Sequence, residues 1–269
     1  MHAHGRPRVR RPWLPILGAA LAVAMVCAVA AWRPWIVPST PLAGGESSSV
    51  VSAAPAPLVL PEHPRVLIFG DSWVYGSAAI VPTAGFAYVV GQTRGWETIV
   101  NGVRGSGYLK PGIDGGTYGE RIAALDPSLA PDLVIVEGSI NDRRLPAKGY
   151  RDAVTAAWDS LAQIYPDARF VILGPSPQVL PVESATARID ADLAELAALR
   201  GWWYISPVAE EWITSANYLD VIDTGLGRSH PSTEGHAYLA DRLGRALATR
   251  AEGADVVADA PLDEELVGP

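Results

Sequence analysis

The chain has 269 residues, 49% hydrophobic and 19% charged, which suits one full-sized catalytic domain with appendages. Its net charge of −8 understates the acidity of the main body, because Arg6, Arg8, Arg10 and Arg11 cluster ahead of it; such a surface repels phosphate backbones and argues against a nucleic-acid partner. Cys27 is the single cysteine, which excludes an intrachain disulfide and a cysteine-based metal cage.

The first element in chain order is the uncharged run from Trp13 to Trp32, about long enough to cross a hydrocarbon core of roughly 30 Å as a helix. The basic side stays in the cytoplasm, which sends everything after Arg33 outward. Two readings of residues 1–36 remain: an uncleaved anchor flanked by Trp13, Trp32 and Trp35, or a signal peptide cut after Ala28-Val29-Ala30. Met25 and Val26 ahead of Cys27 disfavour a lipoprotein anchor. Residues 37–62 are rich in Pro, Ser and Ala and read as a spacer; residues 63–250 carry the domain, and the acidic, small-residued stretch 251–269 reads as a tail.

Within the domain, short apolar runs alternate with helical patterns. Arg65–Phe69, Glu97–Val100, Asp132–Val136, Arg169–Leu173 and Trp202–Ile205 have the character of buried strands. Helical spacing covers Ala84–Arg94, Tyr118–Leu125, Tyr150–Tyr165, Glu183–Leu199 and Thr233–Arg250. This alternation predicts an α/β fold, a three-layer α/β/α sandwich around a five-stranded parallel sheet. Ligands of such sheets sit beyond the carboxyl ends of the strands, so chemistry is expected just after each run.

Four segments answer that expectation. After the first run comes Gly70-Asp71-Ser72-Trp73-Val74-Tyr75-Gly76, where a serine at a strand-to-helix turn presents its hydroxyl near helix-terminal N–H groups. An Asp/Ser helix cap explains the same residues without catalysis. After the second run stands Asn101-Gly102-Val103-Arg104-Gly105-Ser106-Gly107, and after the third Glu137-Gly138-Ser139-Ile140-Asn141-Asp142, whose Asn141 amide suits an oxyanion donor or an Asx turn. His230-Pro231 precedes the last helix, and an imidazole is the natural base for a serine near neutral pH. His236, in the first turns of that helix, reads as structural or rim-lining, and Trp202 and Trp203 read as core.

Together these four blocks resemble the SGNH (GDSL-like) hydrolase family across about residues 65–248. The resemblance implies a flavodoxin-like fold, with Ser72 as nucleophile and His230 as base. It also implies an oxyanion hole from the Ser72 and Gly105 N–H groups (Gly107 being the lesser choice) and the Asn141 side chain. Two departures stand out. The family's G-x-N-D becomes Ser139-Ile140-Asn141-Asp142, with the glycine one place earlier at Gly138, and the Asp usually found three residues before the histidine is Gly227. Asp223, Asp220 or a backbone carbonyl then has to orient His230. Trp73 and Tyr75 are expected to line an acyl or sugar pocket.

The function expected is an extracytoplasmic serine esterase acting on acyl esters of a glycan, glycolipid or lipid, tethered through the N-terminal helix or secreted, with no metal or cofactor. Transfer of the acyl group to a sugar hydroxyl, and a binding protein on a degenerate scaffold, are the alternatives. An ordinary α/β-hydrolase is disfavoured because Val74 stands where G-x-S-x-G needs its second glycine, and a dinucleotide binder because G-x-G-x-x-G is absent after the first run.

Overall fold

The computed structural model describes residues 55–252. The expected anchor or signal segment, most of the spacer and nearly all of the acidic tail lie outside the described residues. Among those described, no helix is long and apolar enough to cross a membrane.

The described elements run in the order β1 (Arg65–Gly70), α1 (Ser72–Tyr75), α2 (Phe86–Arg94), β2 (Glu97–Gly102), α3 (Tyr118–Ala123), β3 (Leu133–Glu137), α4 (Tyr150–Ile164), β4 (Arg169–Leu173), α5 (Ser184–Leu199) and β5 (Trp203–Ile205), followed by α6 (Tyr218–Val221), β6 (Ile222–Asp223), β7 (His230–Pro231) and α7 (Thr233–Glu252). Strands β1 to β5 form one parallel sheet in the order β2-β1-β3-β4-β5, so the fold is the expected three-layer α/β/α sandwich. β6 and β7 make a separate antiparallel pair that joins Asp223 to His230.

Apart from Arg65 and Arg169 at their starts and Glu137 at an end, the central strands are apolar because helices cover both faces. Successive side chains alternate between two cores. Val66, Ile68, Leu133, Ile135 and Val171 face one side with Phe86 and Val90 of α2 and Leu239 and Leu243 of α7, whereas Leu67, Phe69, Val134, Val136 and Ile172 face the other with Ile122, Trp158, Leu161 and Leu193. Leu58 packs in the first of these cores, and Trp203 Nε1 donates to the Ala56 carbonyl at 2.9 Å, so the chain ahead of β1 is tied to the domain. Because the strands are parallel, the carboxyl ends of β1, β2 and β3 lie at one edge of the sheet. The strand order reverses between β1 and β3, and that edge carries the site.

Candidate active site

Ser72 opens α1 directly after β1. Gly70 permits the tight exit: a Cβ there would stand 2.5 Å from Val74 Cγ2 and 2.7 Å from Glu137 Oε2. Asp71 caps the short helix, its Oδ1 accepting from Trp73 N at 2.9 Å, and Gly76 ends it at φ +86°. Ser72 is almost buried yet lies on the wall of a cleft of about 810 Å³, which Tyr75, Gly105, Asn141 and His230 also line.

The β6–β7 pair delivers the imidazole. His230 Nε2 lies 2.9 Å from Ser72 Oγ, and Nδ1 lies 2.7 Å from the Gly227 carbonyl oxygen. A carbonyl can only accept, so Nδ1 carries the proton and Nε2 is left with the lone pair that can accept from the serine hydroxyl.

Asp223 does not fill the orienting position expected of it. Its Oδ1 accepts from Gly225 N at 2.8 Å and its Oδ2 from Gly227 N at 2.9 Å, so the carboxylate holds the loop whose carbonyl holds the imidazole. The missing side chain at 227 makes the room for it, since a Cβ there would come within 2.7 Å of Asp223 Cβ, Cγ and Oδ2. Asp220 contributes only its backbone carbonyl, to Ser232.

On the opposite side of the serine, the N–H groups of Ser72 and Gly105 have no protein hydrogen-bond acceptor among the described residues. Gly105 faces the cleft with φ +74°, while a Cβ at Gly107 would strike the Asp142 carboxylate at 2.5 Å; Gly107 is the packing glycine of the pair. Asn141 sits at the site, but both hydrogens of its Nδ2 are engaged, with Asp71 Oδ2 at 2.8 Å and the Ser106 carbonyl at 3.0 Å. Serving an oxyanion requires one of them to turn away. The glycine displaced from the G-x-N-D block is replaced by Ser139, which itself adopts φ +68° and shares a 2.7 Å hydrogen bond with the Tyr150 hydroxyl.

Trp73 is a correction. It is 2% exposed, packs with Val74 and Phe86 in the core, and lines no part of the cleft. One residue along a helix is a rotation of about 100°, which carries the side chain from the cleft side at Ser72 to the core side at Trp73. Tyr75 does line the cleft, with the Arg104 guanidinium 5.3 Å from its ring centre. His236 is fully buried. Its Nδ1 accepts from Phe86 N at 3.1 Å and its Nε2 donates to the Ser77 carbonyl at 3.0 Å, and burial pushes its pKa down to about 4. It clamps the segment after the nucleophile to α2 and α7.

Beneath the site lies a buried polar layer that no motif announces. Asp142 accepts from the backbone N–H groups of Tyr108, Leu109 and Lys110 at 2.7, 3.2 and 2.9 Å, fixing the loop that carries Gly105. Arg121 donates to the carbonyls of Gly70 and Asn101 and to Ser106 Oγ at 2.7 to 2.9 Å, linking β1 and β2 to the same loop. Glu137, buried beside Asp71, is pushed well above the carboxylate range by burial and then by that neighbour, and burial raises Asp71 to about 6. Spacing carries no signal for this layer. Asp71, Glu137 and Asp142 stand inside the motif segments and Arg121 outside them.

Comparison with known proteins places this geometry. The family model described as GDSL-like Lipase/Acylhydrolase matches residues 68–238. A GDSL lipase of Mycobacterium tuberculosis is 26% identical over 192 residues, covering 66% of this chain and 79% of that protein. Among solved structures, a lipolytic protein of the G-D-S-L family from Desulfitobacterium hafniense superposes with a TM-score of 0.55 at 17% identity, covering 68% of this chain and 99% of its own. The aryl esterase of M. smegmatis gives 0.53 at 16%, covering 69% and 99%. A carbohydrate acetylesterase family member from Sinorhizobium meliloti gives 0.54 at 14%, covering 70% and 99%. At these identities the structures speak for the fold alone, while the family match spans well over half of the chain. This chain belongs to the GDSL-like lipase/acylhydrolase family and is a serine ester hydrolase.

Proposed function

We propose that the chain works outside the cytoplasm as an esterase that removes acyl groups from a glycan, glycolipid or lipid through an acyl-Ser72 intermediate. The observation that carries this reading is the continuous chain from the Gly227 carbonyl through the His230 ring to Ser72 Oγ, with contacts of 2.7 and 2.9 Å.

The geometry supports the following sequence of events. Ser72 Oγ attacks the ester carbonyl carbon as His230 Nε2 takes the hydroxyl proton. The imidazolium so formed keeps its Nδ1–H on the Gly227 oxygen, a dipole standing where a carboxylate would otherwise bring a full charge. Negative charge on the former carbonyl oxygen meets the unengaged N–H groups of Ser72 and Gly105, and Asn141 joins them by releasing the Ser106 carbonyl. His230 returns the proton to the departing alcohol, and water repeats the cycle on the acyl-serine. Exposed Ile113 and Leu226 on the cleft wall offer the acyl group apolar contact. Asp223 acts through the loop, as a positioning residue.

An extracytoplasmic site is inferred from the charge-free run Trp13–Trp32, which has four arginines ahead of it, Arg6, Arg8, Arg10 and Arg11, against Arg33 alone directly behind it. Fractionation of cells with a C-terminal tag, with protease added outside, tests it: a fully protected, soluble tag ends that part of the reading. For the chemistry, a fluorophosphonate probe should label the wild type and fail on Ser72→Ala, and His230→Ala should lose about 10⁴-fold or more in kcat/KM. Equal labelling of wild type and Ser72→Ala would falsify the assignment.

A further inference from the structure

The charge lining the cleft is opposite to that of the protein. The chain carries 29 carboxylate side chains and 21 Lys and Arg, yet the walls around Ser72 hold Arg104, Lys110, Arg143, Arg144 and Arg228 against Asp223 alone. Asp223 is committed to the Gly225 and Gly227 N–H groups. Arg104 pairs with Asp114, Lys110 Nζ donates to the Gly105 carbonyl at 2.7 Å, and Arg143 is held by Glu183 and Gln178 at 2.6 and 2.9 Å. Arg144 and Arg228 are exposed, and their guanidinium groups have no anionic or hydrogen-bonding partner among the described residues.

These two cations are placed by the site's own framework. Arg144 closes the short helical turn Ile140–Arg144 that also bears Asn141. Arg228 lies two residues before His230, at φ +50° and followed by Ser229 at φ +63°, two left-handed positions in succession that non-glycine residues rarely adopt. They therefore stand beside the oxyanion side and the base side of the serine. A cleft walled by one sign of charge focuses its field on whatever enters.

We infer that the substrate is an ester bearing a negative charge, a carboxylate or a phosphate, close to the scissile bond, and that Arg144 and Arg228 recognise it. This rests on the esterase reading above and names the substrate class for the same site. The anion belongs either to the acyl part or to the alcohol part, and matched esters separate the two sources. 4-Nitrophenyl hemisuccinate against 4-nitrophenyl butyrate places the charge on the acyl side; 4-acetoxybenzoate against its methyl ester places it on the leaving side.

In at least one pair, the charged member should be favoured about tenfold in kcat/KM at low ionic strength, a modest factor because exposed charge pairs are individually weak. The preference should shrink as salt shortens the screening length to about 10 Å at 0.1 M. Arg144→Glu/Arg228→Glu should bring the charged-to-neutral ratio to one or below. Hydrolysis of the neutral ester at a rate equal to or above that of the charged one in both pairs overturns the inference and leaves the esterase reading standing. If no ester is turned over, titration calorimetry of Ser72→Ala with the same four compounds decides: tighter binding of a charged member upholds the anion site, and equal or weaker binding of both rejects it.

Discussion

Two loops meet at Ser72, and they are held in different ways. Residues 105–110, on the oxyanion side, are pinned from beneath by a buried carboxylate that accepts three backbone N–H groups and by a buried guanidinium that reaches three elements. Residues 224–229, on the base side, are largely exposed, with Leu226 fully so, and are held by two bonds to the Asp223 carboxylate, one from Ser229 N to the Asp223 carbonyl at 2.8 Å, and turns of their own backbone. The donors that must meet a developing charge are thus built into the core, where misplacement by a fraction of an ångström is prevented. The base is presented by a surface strap.

Between the two loops, the larger effect is expected from attacking the buried side. Asp142→Ala should misplace the Gly105 N–H and cost about 10²- to 10³-fold in kcat on a simple aryl ester. It should also remove about 3 kcal/mol of stability by leaving three inward N–H groups without an acceptor, read from chemical denaturation. Asp223→Ala should be smaller and purely functional: kcat falls about 10- to 100-fold while stability moves by less than about 1 kcal/mol, and Asp223→Asn recovers part of the rate. Were Asp223→Ala to destabilise the fold as much as Asp142→Ala, the contrast between the loops would be wrong. A third variant leaves both loops alone. His236→Ala strands the Phe86 N–H and the Ser77 carbonyl and should cost about 2 kcal/mol of stability.

The smallest effects are slopes with pH. His236 is depressed to about 4 from an ordinary 6.5, so its contribution to stability is whole above pH 6.5 and disappears as pH falls through 4. His236→Ala should flatten that part of the stability curve. Asp71 is raised to about 6 from 3.8, so its contribution is present below pH 3.8 and disappears as pH rises through 6. Asp71→Asn should therefore gain on the wild type steadily between pH 4 and 7 in thermal melts, whatever its absolute stability.

Much of the fold was legible because burial on both faces leaves runs such as Arg169–Leu173 with no other reading, and the observed strand begins and ends on those residues. The apolar pattern stops at Val100, two residues before the strand does, because Asn101 and Gly102 are polar or small, although they continue the ladder with Phe69 and Gly70. At the site, the residues named from motifs were Ser72, Gly105, Asn141 and His230, and the structure gathers all four on one cleft. What stayed hidden has a physical cause in each case. The side-chain direction of Trp73 depends on helical rotation within a single turn, too short for a period to register. Arg121 lies on a six-residue helix where a buried arginine and a solvated one have the same spacing. The orienting group for His230 is main chain, and main chain is the same at every position.

That last point reaches beyond the geometry. A peptide oxygen has no ionisation of its own in water, so nothing behind the imidazole can be silenced by acid ahead of the ring itself. Nor can an amino-acid replacement delete it. Evolution or an engineer can retune this base solely by reshaping the strap that presents the oxygen.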